Sequence, residues 1–307
     1  MTGLELAKCY YETIGRPALE AQFPQLLPRI AIGLAGESSE CFGFDDRQSR
    51  DHDWGAAFCI WLEDEDYARY GSQVQEVYES LPREFGGFPA RKDGPHSKGR
   101  TGVLSTSEWY RRYTGMAEGP ETLQQWRAVP EAFLATATNG TVFFDPLGHF
   151  SAIREKLLGF YPEDVRIKKI VARTAAMAQA GQYNYIRCSK RGEHVAAQLA
   201  LAEFSQSAMS LTYLLNRRYA PFYKWMHRGL RDLPVLPAMH GQLERLSRTL
   251  EVEQAVQLIE GVCLTVMHEL RRQGLSSGTS DFLLDHCPEM MAHIQDPQLR
   301  QTHIMKE

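Results

Sequence analysis

The stretch of sequence that decides the fold spans residues 34–55 and reads Leu34-Ala-Gly-Glu-Ser-Ser-Glu-Cys-Phe-Gly-Phe-Asp-Asp-Arg-Gln-Ser-Arg-Asp-His-Asp-Trp-Gly55. A strand-like apolar run over 30–35 leads into it and ends in a small polar turn at 36–39. A second strand-like run over 56–62 follows the acidic end of the stretch. The pattern therefore predicts two strands joined by a polar connection that carries carboxylates.

Two of those carboxylates, Asp51 and Asp53, come shortly before the second strand. Side chains alternate along a strand, so we expect both to point to the same face. Two neighbouring carboxylates repel each other unless a cation neutralises them. Oxygen ligands suit a hard ion such as Mg²⁺, which is often shared with substrate phosphates, and the turn at 36–39 offers N–H groups and hydroxyls to the same phosphates. This arrangement predicts a metal-dependent phosphoryl or nucleotidyl transfer site.

The composition of the chain argues against several other classes of protein. The 307 residues are 43% apolar and 23% charged, which is typical of a globular protein with one large or two ordinary domains. A net charge of −4 argues against a general nucleic-acid binder, which carries a basic excess. The six cysteines are scattered, no secretory signal pattern is visible, and no apolar run reaches about 18 residues. We therefore expect a cytoplasmic protein that does not span a membrane.

The remaining periodicity predicts an α+β chain in two halves. Two more strands are expected at 101–106 and 141–145, and 86–100 is expected to be a flexible basic loop, either a solvated connection or a lid over phosphates. The apolar spacing predicts helices at 3–14, 17–26, 64–82, 107–114, 150–159, 163–186, 192–217, 219–231, 238–250 and 252–273. The sequence therefore predicts a mixed sheet flanked by helices over 1–150, followed by an all-α helical bundle over 151–307.

Three segments carry a resemblance to a known family: Gly-Phe-Asp-Asp-Arg-Gln-Ser-Arg-Asp-His-Asp-Trp-Gly (43–55), Ala-Gly-Gln-Tyr-Asn-Tyr-Ile-Arg (180–187) and Leu-Leu-Asn-Arg-Arg-Tyr-Ala-Pro-Phe-Tyr-Lys-Trp (214–225). Together they resemble the nucleotidyltransferase superfamily that includes DNA polymerase beta and the aminoglycoside nucleotidyltransferases. Uncharacterised bacterial nucleotidyltransferase-like proteins with a helical C-terminal half look closest, and kanamycin nucleotidyltransferase looks more distant. The resemblance implies a polymerase-beta-like fold, Mg²⁺ or Mn²⁺ as the metal, and ATP or another NTP as co-substrate.

Carried over by position, the resemblance implies that Asp51 and Asp53 are the catalytic metal ligands. It also implies that Gly36, Ser38 and Ser39 occupy the place of a Gly-Ser turn that binds the triphosphate. Ser38 stands where glycine is usual, and its Cβ narrows the room for a phosphate although its hydroxyl is a donor.

A third carboxylate, which relatives usually carry on the strand predicted at 101–106, is missing, because Gly102 stands at that position. Glu108 and Asp145 are candidate substitutes. Glu108 also suits the start of a helix, and Asp145, which precedes a proline, also suits a strand-end turn. The missing carboxylate leaves catalytic competence open.

The general base is a second departure from the family pattern. In kanamycin nucleotidyltransferase a glutamate and a lysine flank the Ala-Gly of the helical segment, and here Ala178 and Gln182 stand at those places. Another group must then deprotonate the acceptor hydroxyl. Glu203 could reach inward from its predicted helix, and the alternative is a solvated glutamate on the helix surface.

Four residues form a hydrogen-bonding cluster at the end of a predicted helix: Gln182, Tyr183, Asn184 and Arg187. They either cap the helix or form a wall that binds a polyhydroxylated or amino-bearing acceptor. Lys224 begins a further helix, where its charge could offset that of the leaving pyrophosphate. The alternative for Lys224 is a surface lysine.

These observations predict a Mg²⁺-dependent nucleotidyltransferase that moves NMP, most simply AMP from ATP, to a hydroxyl of a small molecule. Two alternatives stay open. The chain is a degenerate nucleotide-binding or regulatory protein, or it AMPylates a protein or modifies RNA. The identity of the acceptor and the oligomeric state, a homodimer included, are left open by the sequence.

Overall fold

The computed structural model describes residues 1–51, 54–91 and 99–306, except for the side chain of Asp51. It shows an α+β protein with two compact units. The first unit comprises Met1–Glu121 and Phe133–Gly159, and the second comprises Thr122–Ala132 and Phe160–Glu307. The sequence predicts one boundary at residue 150, whereas the structure also assigns the short segment 122–132 to the second unit.

The described strands all belong to the first unit, and they are β1 Ala31–Leu34, β2 Cys59–Leu62, β3 Glu84–Phe85, β4 Phe88–Pro89, β5 Gly102–Ser105 and β6 Thr141–Phe144. The α-helices are α1 Gly3–Tyr10, α2 Arg16–Gln22, α3 Asp64–Ser80, α4 Thr106–Thr114, α5 Leu123–Ala128, α6 Glu131–Thr138, α7 His149–Leu158, α8 Glu163–Met177, α9 Ile186–Lys190, α10 His194–Leu215, α11 Tyr223–Gly229, α12 Met239–Arg248, α13 Val252–Arg272, α14 Cys287–Ala292 and α15 Pro297–Arg300. Shorter 3₁₀ turns lie at Leu27–Arg29, Glu40–Phe42, Gln48–Asp51, Leu230–Asp232 and Leu283–His286, and π-helical segments lie at Tyr11–Gly15 and Ala178–Tyr185.

The main sheet has the strand order β5-β2-β1-β6. Strand β1 runs antiparallel to β2 and β6, and β2 runs parallel to β5. Because Gly33 pairs with Cys59 and Cys59 pairs with Gly102, the end of β1 lies beside the starts of β2 and β5. Strand β6 also begins there, since Leu34 pairs with Thr141. We call this end, where β1 stops and the other three strands start, the turn end of the sheet.

All residues of β1 and β2 are buried, which explains why both strands are recognisable as apolar runs in the sequence. Aromatic rings fill the space around them. Phe58 lies 5.5 Å from the ring centre of Tyr11 and 5.1 Å from that of Tyr78. Trp61 stacks on Phe150 at 4.0 Å. These contacts hold the helices of the first unit against its sheet.

The predicted break between helices 3–14 and 17–26 is wrong. Helical structure runs without interruption from Gly3 to Gln22, and the π-helical segment takes up the irregularity. The N–H of Arg16 donates to the carbonyl of Tyr11, a bond that spans one residue more than an α-helical one. Gly15 is required there because a Cβ would collide with the ring of Phe58, and Pro17 falls in the first turn of α2, where its missing N–H costs little.

Among its described residues, the second unit consists of helices and the segments that connect them. Its central helix, α8, is almost entirely buried and packs along α10. The chain continues from α8 through the π-helical segment into α9, so the helix predicted at 163–186 is confirmed but its π-helical part was not foreseen. None of the described helices has both the length and the apolar character needed to cross a bilayer.

Candidate functional site

The polar turn after β1 is held by the residue pair just before β6. The N–H of Gly36 donates to Oδ1 of Asn139 at 2.9 Å, and Nδ2 of Asn139 donates to the carbonyl of Gly36 at 2.6 Å. Gly36 has a φ of +133°, a conformation that favours glycine. The N–H of Gly140 also donates to the carbonyl of Cys41 at 2.7 Å. The turn is thus fixed from both of its ends.

The two serines of the turn have different surroundings. Ser38 is buried, and its hydroxyl lies 3.1 Å from Sγ of Cys41, inside the turn. Ser39 is half-buried, and its carbonyl accepts hydrogen bonds from the N–H groups of Phe42 and Phe44. Within the described part of the chain, the N–H groups of Glu37, Ser38 and Ser39 have no protein acceptor. They are therefore the donors that this turn can offer to a ligand.

A buried ion pair lies next to the turn. Arg91 Nη1 is 3.0 Å from Oε1 of Glu40, and each side chain is only 2% exposed. Burial raises the pKa of the Glu40 carboxyl, and the charge of Arg91 opposes that shift. The pair connects the 3₁₀ turn Glu40–Phe42 to the segment that follows the β3–β4 hairpin, and so holds the turn region to a second part of the same unit.

The predicted metal ligands fall mostly outside the described residues. Asp51 is the last residue of a 3₁₀ turn and its side chain is not described, and Asp53 lies outside the described residues altogether. The next residue, Trp54, is buried, and its indole N–H donates to Oδ2 of Asp45 at 3.2 Å. Across 1–51, 54–91 and 99–306, no group of three or more His, Cys, Asp or Glu side chains could hold a metal ion.

The side chain of Gln75 fills the space beside Gly102, the position at which a third carboxylate was expected. Gly102 has a φ of +84°, and a Cβ there would lie 2.8 Å from Oε1 of Gln75. That oxygen accepts a hydrogen bond from the N–H of Val103 at 2.8 Å. Gln75 thus occupies the space that an acidic side chain at this position would need.

The two candidate substitutes for that carboxylate have structural partners. The N–H of Glu108 donates to the hydroxyl of Ser105, the N-cap of α4, and its carboxylate lies 2.6 Å from Arg111. Asp145 accepts hydrogen bonds from the N–H groups that start α7, Gly148 at 2.9 Å and Ser151 at 2.8 Å. The helix-start and strand-end interpretations of these acids are therefore confirmed.

The polar cluster of the second unit lies on the π-helical segment and the start of α9. Gln182 donates to Glu260 at 2.7 Å and to the carbonyl of Asp281 at 2.8 Å, and it accepts from the N–H of Leu283 at 2.9 Å. It ties three segments of the unit together. The other three members, Tyr183, Asn184 and Arg187, are exposed, and Arg187 lies 4.7 Å from the ring centre of Tyr183. Their predicted role in acceptor binding stays a prediction.

Lys224 lies in the first turn of α11 and is exposed, with Nζ 5.2 Å from the ring centre of Trp225. Its predicted contact with a triphosphate also stays a prediction.

A cavity of about 490 Å³ lies wholly within the second unit. We call it the basic cavity, because its charged lining residues are three cations, Arg127, Lys169 and Arg173, and two acids, Glu131 and Glu203. Glu203, the predicted general base, is therefore a lining residue. Lys224 and the cluster at 182–187 are not among the lining residues.

Two hydroxyls donate to the acids of the basic cavity, and one of them also links an acid to an arginine. Nε of Arg173 donates to the hydroxyl of Ser210 at 2.9 Å, and that hydroxyl donates to Glu131 at 2.8 Å. The hydroxyl of Ser207 donates to Glu203 at 3.2 Å. Lys169 is buried and lies 5.3 Å from the ring centre of a tyrosine. The wall is thus an ordered polar network.

Sequence reasoning missed all of these residues except Glu203. One signal was available: Arg166, Lys169 and Arg173 recur at helical spacing within α8, where the first two are buried, Arg173 is half-buried and most of the other buried residues are apolar. Basic residues on a buried helix face need partners or a ligand. The remaining lining residues come from segments far apart in sequence, and no local pattern connects them.

A family model described as "Domain of unknown function (DUF4037)" matches residues 126–226, about a third of the chain. This range contains every residue that lines the basic cavity. No curated protein matches the chain. Among solved structures, a nucleotidyltransferase-like protein from Exiguobacterium sibiricum 255-15 is similar, with 12% sequence identity, a TM-score of 0.38, and coverage of 92% of this chain and 81% of that one.

Proposed function

We propose that this chain is a nucleotidyltransferase that transfers NMP, most simply AMP from ATP, to a hydroxyl group of a small molecule. The observation that carries the proposal is the turn end of the sheet. There the polar turn after β1, the start of β2 at Cys59 and the start of β5 at Gly102 come together. The acid pair Asp51 and Asp53 belongs to the segment that leads into Trp54.

The residues of this region suit a nucleotide triphosphate and a divalent ion. Two carboxylates, from Asp51 and Asp53, together with phosphate oxygens form a ligand set that Mg²⁺ or Mn²⁺ accepts. When bound, that ion would neutralise charge on the phosphate tail. The N–H groups of Glu37, Ser38 and Ser39, which lack protein acceptors among the described residues, are suited to the phosphate oxygens. Arg100 forms an ion pair with Glu37 of the turn, at 2.7 Å.

A second candidate function is nucleotide binding without transfer. The specific observation that favours it is Gly102, where Gln75 occupies the space of the third carboxylate that catalytic relatives usually carry. Glu203 stays our proposed general base in the transferase. In a protein that only binds nucleotide, Glu203 would have no such role.

The binding experiment compares Asp51→Asn and Asp53→Asn with the wild type and a matched control, Glu76→Gln. Glu76 is an exposed carboxylate on α3, so its loss removes the same charge from a surface position. We expect MgATP to raise the melting temperature of the wild type and the control, but not that of either aspartate variant. EDTA should abolish the shift. If both aspartate variants keep it, the assignment of the ligands is wrong.

The transfer experiment supplies ATP labelled at the α-phosphate with hydroxyl-bearing small molecules, with protein and with RNA. The proposal expects label on a small molecule and release of pyrophosphate. Label on protein or RNA would contradict the small-molecule acceptor. MgATP binding without pyrophosphate release across the whole set supports the second candidate.

The cysteines bear on the compartment in which the protein works. None of the six cysteines, all of which lie in the described residues, forms a disulfide, which fits the cytoplasm that we propose as its compartment. We also propose that the functional partners are an NTP and a small acceptor. A homodimer, if formed, would be detected by light scattering.

A further inference from the structure

We infer that His149 is a pH-sensitive clamp: its ring, protonated on both nitrogens, joins Glu63 to Glu118, and loss of one proton releases the segment at 115–121. The inference goes beyond nucleotide transfer, because none of these residues belongs to the proposed nucleotide site. Glu63 directly follows β2 and His149 begins α7 after β6, and both strands start at the turn end of the sheet. The clamp therefore lies at the opposite end of these strands, within the first unit.

Both ring nitrogens of His149 face a carboxylate. Nδ1 lies 2.9 Å from each carboxylate oxygen of Glu63, and Nε2 lies 3.2 Å from Oε2 of Glu118. Ionised carboxylates only accept hydrogen bonds, and a neutral imidazole carries a single N–H. In either neutral tautomer, one carboxylate would therefore face a nitrogen lone pair, whereas the imidazolium ring donates to both. The arrangement is specific for the protonated form.

The surroundings of the ring favour that extra proton. Burial lowers the pKa of His149, but the hydrogen bonds to Glu63 and Glu118 outweigh it, and the net shift is upward. The positive end of the α7 dipole opposes a cation at the first residue of that helix. Asp145 offsets this effect, since its carboxylate accepts hydrogen bonds from two N–H groups at the start of the same helix.

Other charged groups on the neighbouring elements have partners of their own. Asp64, the first residue of α3, accepts from two serine hydroxyls at 2.6 Å, which lower its pKa, and the charge of His149 also contributes to that shift. Arg111 of α4 lies 2.6 Å from Glu108, and Arg154 of α7 donates to two main-chain carbonyls. The two carboxylates in contact with the ring therefore decide its charge.

The clamp acts on the segment at 115–121, which follows α4. Glu118 is bound to α7 in two places, because its side chain contacts His149 and its carbonyl accepts from Nζ of Lys156 at 2.8 Å. A neutral ring can donate to only one carboxylate. The side chain of Glu63 is the closer partner and is 27% exposed, against 57% for Glu118, so the neutral ring keeps Glu63 and releases Glu118.

The direction of the pH dependence follows from the raised pKa of His149. The stabilising contribution of the clamp is complete below 6.5, the ordinary pKa of a histidine in an unfolded chain. It is lost as the pH rises through the higher pKa of the folded state. The segment at 115–121 is therefore held on the acidic side and released on the basic side.

The first experiment follows the histidine rings by NMR in the full chain, labelled with ¹³C at histidine Cε1, between about pH 5.5 and 8.5. The signal of His149, one of ten histidines, is assigned by its absence from His149→Gln. We expect its titration midpoint to lie above that of the urea-unfolded chain. Glu63→Gln and Glu118→Gln should each weaken proton binding by about threefold or more, because a facing negative charge is lost.

The matched control for the titration is Glu155→Gln. Glu155 is an exposed carboxylate on the same helix as His149, so its variant removes an equal charge without touching the clamp. Its midpoint should stay close to that of the wild type. A midpoint of His149 at or below that of the unfolded chain, one that either clamp variant leaves unchanged, or one that the control lowers equally overturns the inference.

The second experiment measures release of the segment by hydrogen exchange and mass spectrometry, on peptides that cover 115–121. Exchange rates are corrected for their intrinsic dependence on pH. In the wild type we expect the corrected rate to rise by about threefold or more as the pH passes the midpoint of His149, because an exposed ion pair is lost. In His149→Gln the corrected rate should be high at every pH, and peptides of α13 should not change in either protein.

Three results of the exchange experiment would contradict the clamp. The first is a corrected rate at 115–121 that does not depend on pH in the wild type. The second is a pH dependence that persists in His149→Gln. The third is a rise that α13 shares, which would show that the whole chain loosens rather than one segment.

Discussion

Replacing Arg91 by methionine tests how the turn region is held. The substitution keeps a long side chain but removes the cation 3.0 Å from Glu40, so that the buried carboxylate loses the charge that opposes its desolvation. Breaking a buried ion pair in this way is usually strongly destabilising, because an uncompensated charge is left behind. We therefore expect a large loss of stability at neutral pH.

The pKa of the Glu40 carboxyl determines how much unfolding free energy the Arg91→Met variant loses. An unfolded glutamate titrates near 4.5, and burial without Arg91 drives the folded-state pKa further above that value. The folded variant can avoid the buried charge by keeping Glu40 protonated, which at pH 7 costs about 1.4 kcal/mol for each pH unit above the unfolded value. This cost cannot exceed about 3.4 kcal/mol at pH 7, and the wild type already bears part of it because its own Glu40 pKa is raised, so the expected loss is about 2 kcal/mol. It is nearly absent below the unfolded pKa and grows as the pH rises towards the folded-state pKa.

The assay is urea denaturation followed by tryptophan fluorescence at about pH 7.0, 5.5 and 4.5, values that bracket this change. Arg83→Met is the matched control, because Arg83 is an exposed arginine just before the same hairpin and its loss should change the unfolding free energy by less than about 0.5 kcal/mol. The double variant Glu40→Gln with Arg91→Met removes both charges and should recover part of the loss at neutral pH. A loss for Arg91→Met that is below about 1 kcal/mol at pH 7, or equal at the highest and lowest pH, would refute the reasoning.

Three further substitutions follow from close contacts. Gly102→Asp places a Cβ 2.8 Å from Gln75 at a φ of +84°, so it should lower the unfolding free energy by about 2 kcal/mol in urea and leave pyrophosphate release no faster than in the wild type. Asn139→Ala removes both hydrogen bonds to the backbone of Gly36 and should cost about 1–3 kcal/mol by the same measurement, with MgATP affinity reduced if the turn binds phosphate. Gly181→Ala would bring a Cβ into collision with a buried phenylalanine ring and should lower the melting temperature, whereas Gly192→Asn, at a left-handed position with open space, should not.

Most of the sheet could be predicted from the sequence because its strands are buried apolar runs with clear ends. The runs at 30–35 and 56–62 correspond to β1 and β2, although the second strand starts only at Cys59. The hairpin formed by β3 and β4 was not predicted, since two residues per strand leave no periodicity to detect. The helices α5 and α6 were missed for a similar reason, because each spans about two turns.

The two candidate sites differ in how far apart in the sequence their residues lie. The turn at 36–39 and the acid pair are neighbours in sequence, and the pattern alone suggests their chemistry. The basic cavity combines Arg127 and Glu131 with Lys169, Arg173 and Glu203, residues that only the folded helices bring together. For Gln182 the sequence leaves helix capping and acceptor binding open; its hydrogen bonds in the structure are made to the protein itself, and its role in acceptor binding stays a prediction.

The assignment of residues 122–132 to the second unit has a practical consequence for anyone who wants to produce the units separately. A fragment that starts at Phe160 would lack Arg127 and Glu131, and a fragment that stops at Gly159 would carry a segment that belongs to its neighbour. An autonomous second unit therefore requires Thr122–Ala132 to be spliced ahead of Phe160 through a linker. The first unit correspondingly requires a linker from Glu121 to Phe133.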